Sequence, residues 1–212
     1  MSMVNSVFLS GISLGVDIFF YLFLVIACLF IYFETKNIYK LSSHKGLKYF
    51  RNSFLFFGIA SFFKLILSFV SLNSAFYFQS VFFIVLFFNL IAGLSFIFAL
   101  NWKKLDRFSW MLYTGSFLIV LFSILIRSPL IYLLTQLSFL IYGIILIFSK
   151  KNVKKEGLAF VYPFVLLFWF FSVLDIFLVN VSIFFEFSVY FISIILFVII
   201  LSRTIKSLHF KK

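Results

Sequence analysis

The chain has 212 residues, of which 65% are hydrophobic and 11% are charged, and its mean hydropathy is +1.22. Soluble domains have about 45–50% apolar and about 25% charged residues, so this composition excludes a water-soluble globular fold and favours a membrane protein. The net charge is +12, but the basic residues lie between apolar runs and form no zinc-finger or aromatic-basic motif. We therefore expect no nucleic-acid partner.

Seven apolar runs follow one another along the chain, each close to the roughly 20 residues that a helix needs to cross a bilayer. Their approximate limits are 15–33, 52–72, 76–100, 108–126, 129–149, 158–180 and 184–202. The boundary between the fourth and fifth runs is the shortest, and Pro129 suits the first turn of a new helix there. We predict an all-α bundle of seven transmembrane helices that forms a single domain over residues 1–212.

The predicted loops alternate in charge. Loop 34–51 carries five basic residues, and loops 101–107 and 149–157 and the C-terminal tail are also basic. The remaining loops hold a single basic residue, Arg127. Because Lys and Arg accumulate on the cytoplasmic side, we predict a multi-pass protein of the cell membrane with its N-terminus outside and its C-terminus in the cytoplasm.

The basic loops are expected to contact anionic lipid headgroups on the cytoplasmic side. For loop 34–51 two interpretations stay open. It is either a solvated loop that fixes the orientation or a short amphipathic segment at the interface.

The second run carries a polar face around Lys64. Ionisable groups at membrane depth are costly and by default indicate a functional site. The small and polar residues of this run are three or four positions apart, which places them on one helical face; they are Gly58, Ser61, Lys64, Ser68 and Ser71. We expect Lys64 to point into the bundle and the aromatic residues to face lipid.

Carboxylates accompany Lys64 in the predicted outer half of the bundle. They are Asp17, Asp175 and Glu186, and Arg127 lies at a similar level. We predict that Lys64 meets Asp175, with Asp17 as the second choice. Three interpretations remain open: a structural ion pair, a cavity that binds an ion, a proton or a small polar ligand from outside, and a Lys64 that snorkels to the interface.

Two further patterns concern the same depth of the bundle. Asn89 and Gln136 are the main uncharged polar candidates near the middle of the membrane. Segment 57–72 also aligns with segment 168–183, so that Phe57 matches Phe168, Ser61 matches Ser172 and Lys64 matches Asp175. Parallel repeats of this kind place a substrate site at their interface.

The segment YFETKNIYKLSSHKGLKYFRNSFLFFGIASFFKLI (32–66) resembles the first loop and second span of small uncharacterised archaeal proteins with seven helices. Its layout is also similar to that of the seven-helix sensor modules that precede histidine kinases. The resemblance implies a seven-helix bundle that detects a signal. Because this chain carries no kinase or cyclase segment, such a signal would pass to a partner protein.

No catalytic, metal or cofactor signature accompanies this resemblance. Cys28 is the only cysteine, and His44 and His209 lie outside the apolar runs, which excludes haem ligation by paired histidines within the bilayer. We therefore expect a non-enzymatic, sensor-like or scaffold protein that acts through a membrane protein partner or a homo-oligomer. The alternative is a transporter of a small solute, an ion or a proton that uses the polar site in the outer half.

Overall fold

The computed structural model describes the backbone of residues 2–42, 44–69, 75–149, 161–177 and 183–209, with most of the side chains in these ranges. The described part of the chain is all-α. Its helices are α1 (Ser2–Ser42), α2 (Lys45–Phe69), α3 (Ala75–Leu100), the single turn α4 (Trp102–Leu105), α5 (Ser109–Leu125), α6 (Pro129–Ser149), α7 (Tyr162–Phe177) and α8 (Ile183–His209). A 3-10 turn at Asp106–Phe108 joins α4 to α5.

Six of the described helical segments are long and apolar enough to cross a membrane. They lie within α1, α2, α3, α4–α5, α6 and α8. In α7 the apolar stretch Tyr162–Leu174 is shorter. The all-α prediction is thus confirmed, whereas the count of seven spans and their orientation stay predictions.

The apolar runs on both sides of the predicted loop 34–51 belong to longer helices. Helix α1 continues to Ser42 and α2 begins at Lys45, so most of this segment is helical. The physical reason lies in its composition. Lysine is a good helix former, and the segment holds no proline, so the two helices continue beyond their apolar parts and carry the basic residues with them.

Helix α3 forms the centre of the bundle. It packs against α2, α5 and α6, while α1 packs against α2 and α8, and α7 packs against α6 and α8. Every residue from Asn89 to Leu100 is buried. Apart from Asn89 and Ser95, this half of α3 is apolar on all sides, which is typical of a fully buried helix. Its Ala and Gly residues allow neighbouring helices to approach closely.

Trp169 of α7 fills the space next to the middle of α3. Its side chain is fully buried, and its indole ring lies directly over Gly93. A methyl group at position 93 would overlap three atoms of the ring. Gly93 is therefore required for this contact, since any side chain would displace the indole.

The outward surfaces of α5 and α6 are largely apolar. Large hydrophobic side chains that are about half exposed or more include Trp110, Phe122, Leu125, Leu130 and Leu134. Such a surface is unfavourable in water and is expected where helices face the hydrocarbon of a bilayer. It agrees with the high apolar content of the whole chain.

Polar contacts hold the predicted cytoplasmic end of the bundle together. Lys45 Nζ lies 2.6 Å from Asp106 Oδ2, and the hydroxyl of Tyr49 donates a hydrogen bond to Asp106 Oδ1 at 2.9 Å. These contacts join the start of α2 to the turn between α4 and α5. Next to them the Trp102 ring packs edge-on against His44, with centroids 5.0 Å apart.

Arg51 lies between two tyrosines of the neighbouring helix. Its guanidinium carbon is 5.1 Å from the centroid of the Tyr32 ring and 5.0 Å from that of Tyr39, both on α1. Cation–π contacts of this kind contribute about 0.5–1 kcal/mol each. Arg51 is one of the five basic residues of the predicted loop 34–51, and in the structure it packs α2 against α1.

Candidate functional site

A small polar chamber lies beside Lys64, between α1, α2, α3, α7 and α8. We call it the Lys64 chamber. Its polar lining comes from four helices and comprises Ser61, Lys64, Asn89, Ser172 and Ser193. Apolar side chains, among them Phe20, Phe57 and Phe168, complete its wall. Ser61 and Lys64, two residues of the polar face predicted for α2, both line the chamber because their spacing of three residues places them on the same side of the helix.

The Lys64 chamber has room for about one water molecule. The space open to the centre of a water molecule is about 10 Å³, and a single water needs about 10–15 Å³ by this measure. An ammonium, an amide and three hydroxyl groups face this volume. They offer donors and acceptors to a water molecule, an ion or a polar group of similar size.

Asn89 is the most unusual residue of the chamber. It is 1% exposed, and within the described residues neither its amide nitrogen nor its carbonyl oxygen has a hydrogen-bond partner. Leaving a buried polar group unpaired costs about 1–3 kcal/mol. An amide in this position therefore favours a bound polar species that satisfies it.

A chain of tyrosines connects Lys64 with Glu186. Lys64 Nζ lies 5.3 Å from the centroid of the Tyr21 ring. The hydroxyls of Tyr21 and Tyr190 are 3.2 Å apart, and the Tyr190 hydroxyl also donates to Glu186 Oε1 at 3.2 Å. This path leads from the chamber to the first turn of α8, which we predict to lie near the outer surface.

The predicted carboxylate partners of Lys64 have different positions. Glu186 joins the tyrosine chain, and Asp17 lies one helical turn before Tyr21 on the same face of α1. The side chain of Asp175 lies outside the described residues, although its backbone belongs to α7. The pairing of Lys64 with Asp175 therefore stays a prediction.

Aromatic rings separate the Lys64 chamber from the opposite end of the bundle. The ring centroids of Phe57 and Phe168 are 5.6 Å apart, those of Phe168 and Phe197 are 5.0 Å apart, and those of Phe54 and Phe197 are 5.9 Å apart. We call these four residues the aromatic layer. The tyrosine chain towards Glu186 thus lies on the side of the chamber opposite the aromatic layer.

The remaining residues of the predicted polar face have structural contacts. A side-chain carbon at Gly58 would lie 3.1 Å from Cβ of Cys28, so this glycine allows α1 and α2 to pack closely. The Ser68 hydroxyl donates to the backbone oxygen of Lys64 at 3.2 Å. Ser71 lies outside the described residues.

Arg127 does not contribute to the Lys64 chamber. It lies exposed in the turn between α5 and α6, where its φ of 53° is left-handed. The amide of Arg127 donates to the oxygen of Ile124, and the amide of Ser128 donates to that of Ser123. This is the Schellman arrangement that ends many helices, and it usually has glycine at the left-handed position.

Sequence reasoning missed several residues around Lys64. Tyr21 and Tyr190 follow Asp17 and Glu186 by four residues each, and this shared spacing was an available signal. Ser193 lies one further turn along α8. Gln136, our other polar candidate at mid-depth, lies elsewhere and donates to the Tyr132 hydroxyl at 2.8 Å.

Two of the matched pairs of segments 57–72 and 168–183 lie close together in the structure. Phe57 contacts Phe168, and Ser61 and Ser172 both line the Lys64 chamber. Whether the two segments are repeats stays a prediction. Among the described residues, no three His, Cys, Asp or Glu side chains come together as metal ligands.

An uncharacterized protein of Archaeoglobus fulgidus is similar to this chain. The two are 28% identical over an alignment that covers 85% of this chain and 87% of the relative. No family model matches the chain, and no solved structure matches it either. The relative agrees with the resemblance to small uncharacterised archaeal proteins, and its name carries no activity.

Proposed function

We propose that this protein is an integral membrane protein that binds a small polar ligand or ion in the Lys64 chamber and passes this signal to a partner protein. The observation that carries the proposal is Asn89. Its buried amide has no partner within the described residues and faces a volume suited to one small molecule. A non-enzymatic, sensor-like role follows from binding without a catalytic set of residues.

The polar path on one side of the chamber suits a sensor, and it also suits one of the two conformations of a transporter. A transporter exposes its site to both sides of the membrane in turn. Here the tyrosine chain extends from the chamber towards Glu186, while the aromatic layer lies on the other side. A ligand that enters from the predicted outer surface would meet the aromatic layer and alter its packing, which is a route to a partner protein.

Transport of a small solute, an ion or a proton is the second candidate. It is favoured by the ammonium of Lys64 within the bundle, since ionisable groups at this depth often belong to ion pathways. Transport requires the aromatic layer to open. Flux of the bound solute into protein-containing liposomes would therefore support transport, and binding without flux would support the sensor.

The binding test uses the full chain in lipid nanodiscs. Thermal unfolding is measured with added chloride and ammonium as probes, because these ions are closest in size to the one water molecule that the chamber can hold. A probe that binds the folded state raises the unfolding temperature. The proposal expects at least one probe to stabilise the wild type and to have no effect on Asn89→Leu. Gln136→Leu is the matched control, because it removes a buried amide outside the chamber and should keep the response.

A stability cycle on Lys64 separates ligand binding from a structural ion pair. We compare the wild type, Lys64→Leu, Asp175→Leu and the double variant. Breaking a buried pair by removing one partner costs about 3–5 kcal/mol, whereas removing both is often nearly neutral. If both single variants are unstable and the double variant is stable, Lys64 and Asp175 form a structural ion pair. Four proteins of similar stability would favour a hydrated chamber.

A further inference from the structure

An apolar groove lies between α3, α5 and α6 and shares no lining residue with the Lys64 chamber. Its volume is about 310 Å³. Six of the side chains that line it are Leu94, Phe98, Phe108, Met111, Leu112 and Phe139. The volume is about twice that of the cavity of about 150 Å³ that holds benzene in an engineered protein. The groove is therefore large enough for a hydrocarbon segment.

Gly115 keeps the groove open. It lines the groove from α5, and no heavy atom lies within 4 Å of where its side chain would begin. Met111, one turn earlier, is 45% exposed, so the groove communicates with the surroundings of the bundle. A glycine within a helix costs about 0.5–1 kcal/mol relative to alanine, and here no contact with the rest of the protein explains it.

The groove has the depth of one lipid leaflet. Its lining extends from Phe108, at the end of the 3-10 turn, to Ile119 of α5, which at about 1.5 Å per residue is about 16 Å. The hydrocarbon core of a bilayer is about 30 Å thick, so one leaflet contributes about half of this. An acyl chain of one leaflet thus matches the groove in length.

Basic residues surround the end of the groove at Phe108. Lys103, Lys104 and Arg107 are all exposed. The guanidinium carbon of Arg107 lies 4.6 Å from the centroid of the Phe108 ring, which itself lines the groove. The neighbouring carboxylate of Asp106 is engaged by Lys45 and Tyr49, so a positive charge remains for an anionic group.

We propose that this groove binds one anionic membrane lipid, with a hydrocarbon tail along Gly115 and the phosphate at Arg107 and the adjacent lysines. The charge of the rim and the apolar lining together select this occupant. Basic residues next to the membrane attract anionic headgroups on the side that we predict to be cytoplasmic. This inference is independent of the proposed function of the Lys64 chamber.

The test measures lipids that stay bound to the purified full chain, by native mass spectrometry. Phosphatidylglycerol and phosphatidylcholine with the same tails are added separately to delipidated protein. Gly115→Phe fills the groove, and Gly15→Phe is its matched control, because Gly15 is an exposed glycine of α1 with equally open space. Arg107→Gln tests the rim, with Lys206→Gln on α8 as the control for charge.

The wild type should retain phosphatidylglycerol in preference to phosphatidylcholine. Gly115→Phe should weaken this binding at least about tenfold, since the tail loses its place. Arg107→Gln should weaken phosphatidylglycerol binding about fivefold and leave phosphatidylcholine unchanged. Both controls should behave like the wild type.

Three outcomes would overturn the proposal. The first is equal binding of both lipids by the wild type. The second is phosphatidylglycerol binding that Arg107→Gln and Gly115→Phe leave intact. The third is a change of oligomeric state in Gly115→Phe without a change in lipid binding, which would make the groove an interface between copies. Arg107→Gln alone decides the question if Gly115→Phe does not fold, because Arg107 is exposed.

Discussion

The contact between Gly93 and Trp169 predicts that one added methyl group at position 93 destabilises the protein. In Gly93→Ala the new methyl would lie 2.6 Å from Cη2 of Trp169 and still closer to two other ring atoms. Alanine in a helix gains about 1 kcal/mol over glycine. Overpacking a core costs about 1–3 kcal/mol, and a rigid, fully buried ring places the cost at the upper end. We expect a net loss of about 2 kcal/mol.

Gly115→Ala is the control for this prediction. The same substitution occurs in a helix of the same bundle, but the methyl group enters open space. We expect a gain of about 0.5–1 kcal/mol from helix propensity alone. The two variants should therefore differ by about 3 kcal/mol in the free energy of unfolding, combining these estimates.

The assay is equilibrium unfolding in mixed detergent micelles, followed by far-UV circular dichroism. Trp169→Phe in the Gly93→Ala background should recover part of the loss, because the smaller ring leaves room for the methyl group. A double-mutant cycle with the single Trp169→Phe variant isolates this coupling. If Gly93→Ala and Gly115→Ala change the free energy of unfolding by the same amount, the close packing of α7 on α3 is refuted.

Three further substitutions test the contacts at the two ends of the bundle by thermal unfolding. Arg127→Gly should raise stability over Arg127→Ala by about 1 kcal/mol, because glycine adopts the left-handed conformation without strain; equal values would contradict the turn. Asp106→Asn should lower the unfolding temperature only slightly, and high salt should abolish the difference, since the pair with Lys45 is exposed. Arg51→Lys should lower the free energy of unfolding by about 1 kcal/mol, because the guanidinium no longer stacks on Tyr39. The control variant Lys206→Gln should leave the free energy of unfolding unchanged.

The helices of this chain were predictable because the membrane imposes their length. A continuous apolar run of sufficient length implies a helix whatever its neighbours are, and α6 begins at Pro129 and ends at Ser149 as predicted. The same argument did not predict the helical backbone at 34–51. Hydropathy reports where a chain meets water, but not whether its backbone stays helical there.

The neighbours of Lys64 were only partly predictable. The spacing of Ser61 and Lys64 sets their common face, which is a local property of one helix. Ser193 lines the same chamber from α8, which is distant from α2 in sequence. Tyr21 of α1 and Tyr190 of α8 form the chain that leads from Lys64 to Glu186. Which helices are neighbours depends on packing over the whole bundle, and no pattern within one run contains that information.

The central position of α3 has a consequence for the biosynthesis of this protein. The chain emerges in order, so α3 enters the membrane when only α1 and α2 precede it. The helices that later bury its second half, α5 and α6, and the indole of α7 do not yet exist. Until they arrive, the segment from Asn89 to Leu100 faces lipid or the insertion machinery. A nascent chain stopped after α3 would therefore leave the amide of Asn89 covered by α1 and α2 alone, without the α7 and α8 side of the chamber.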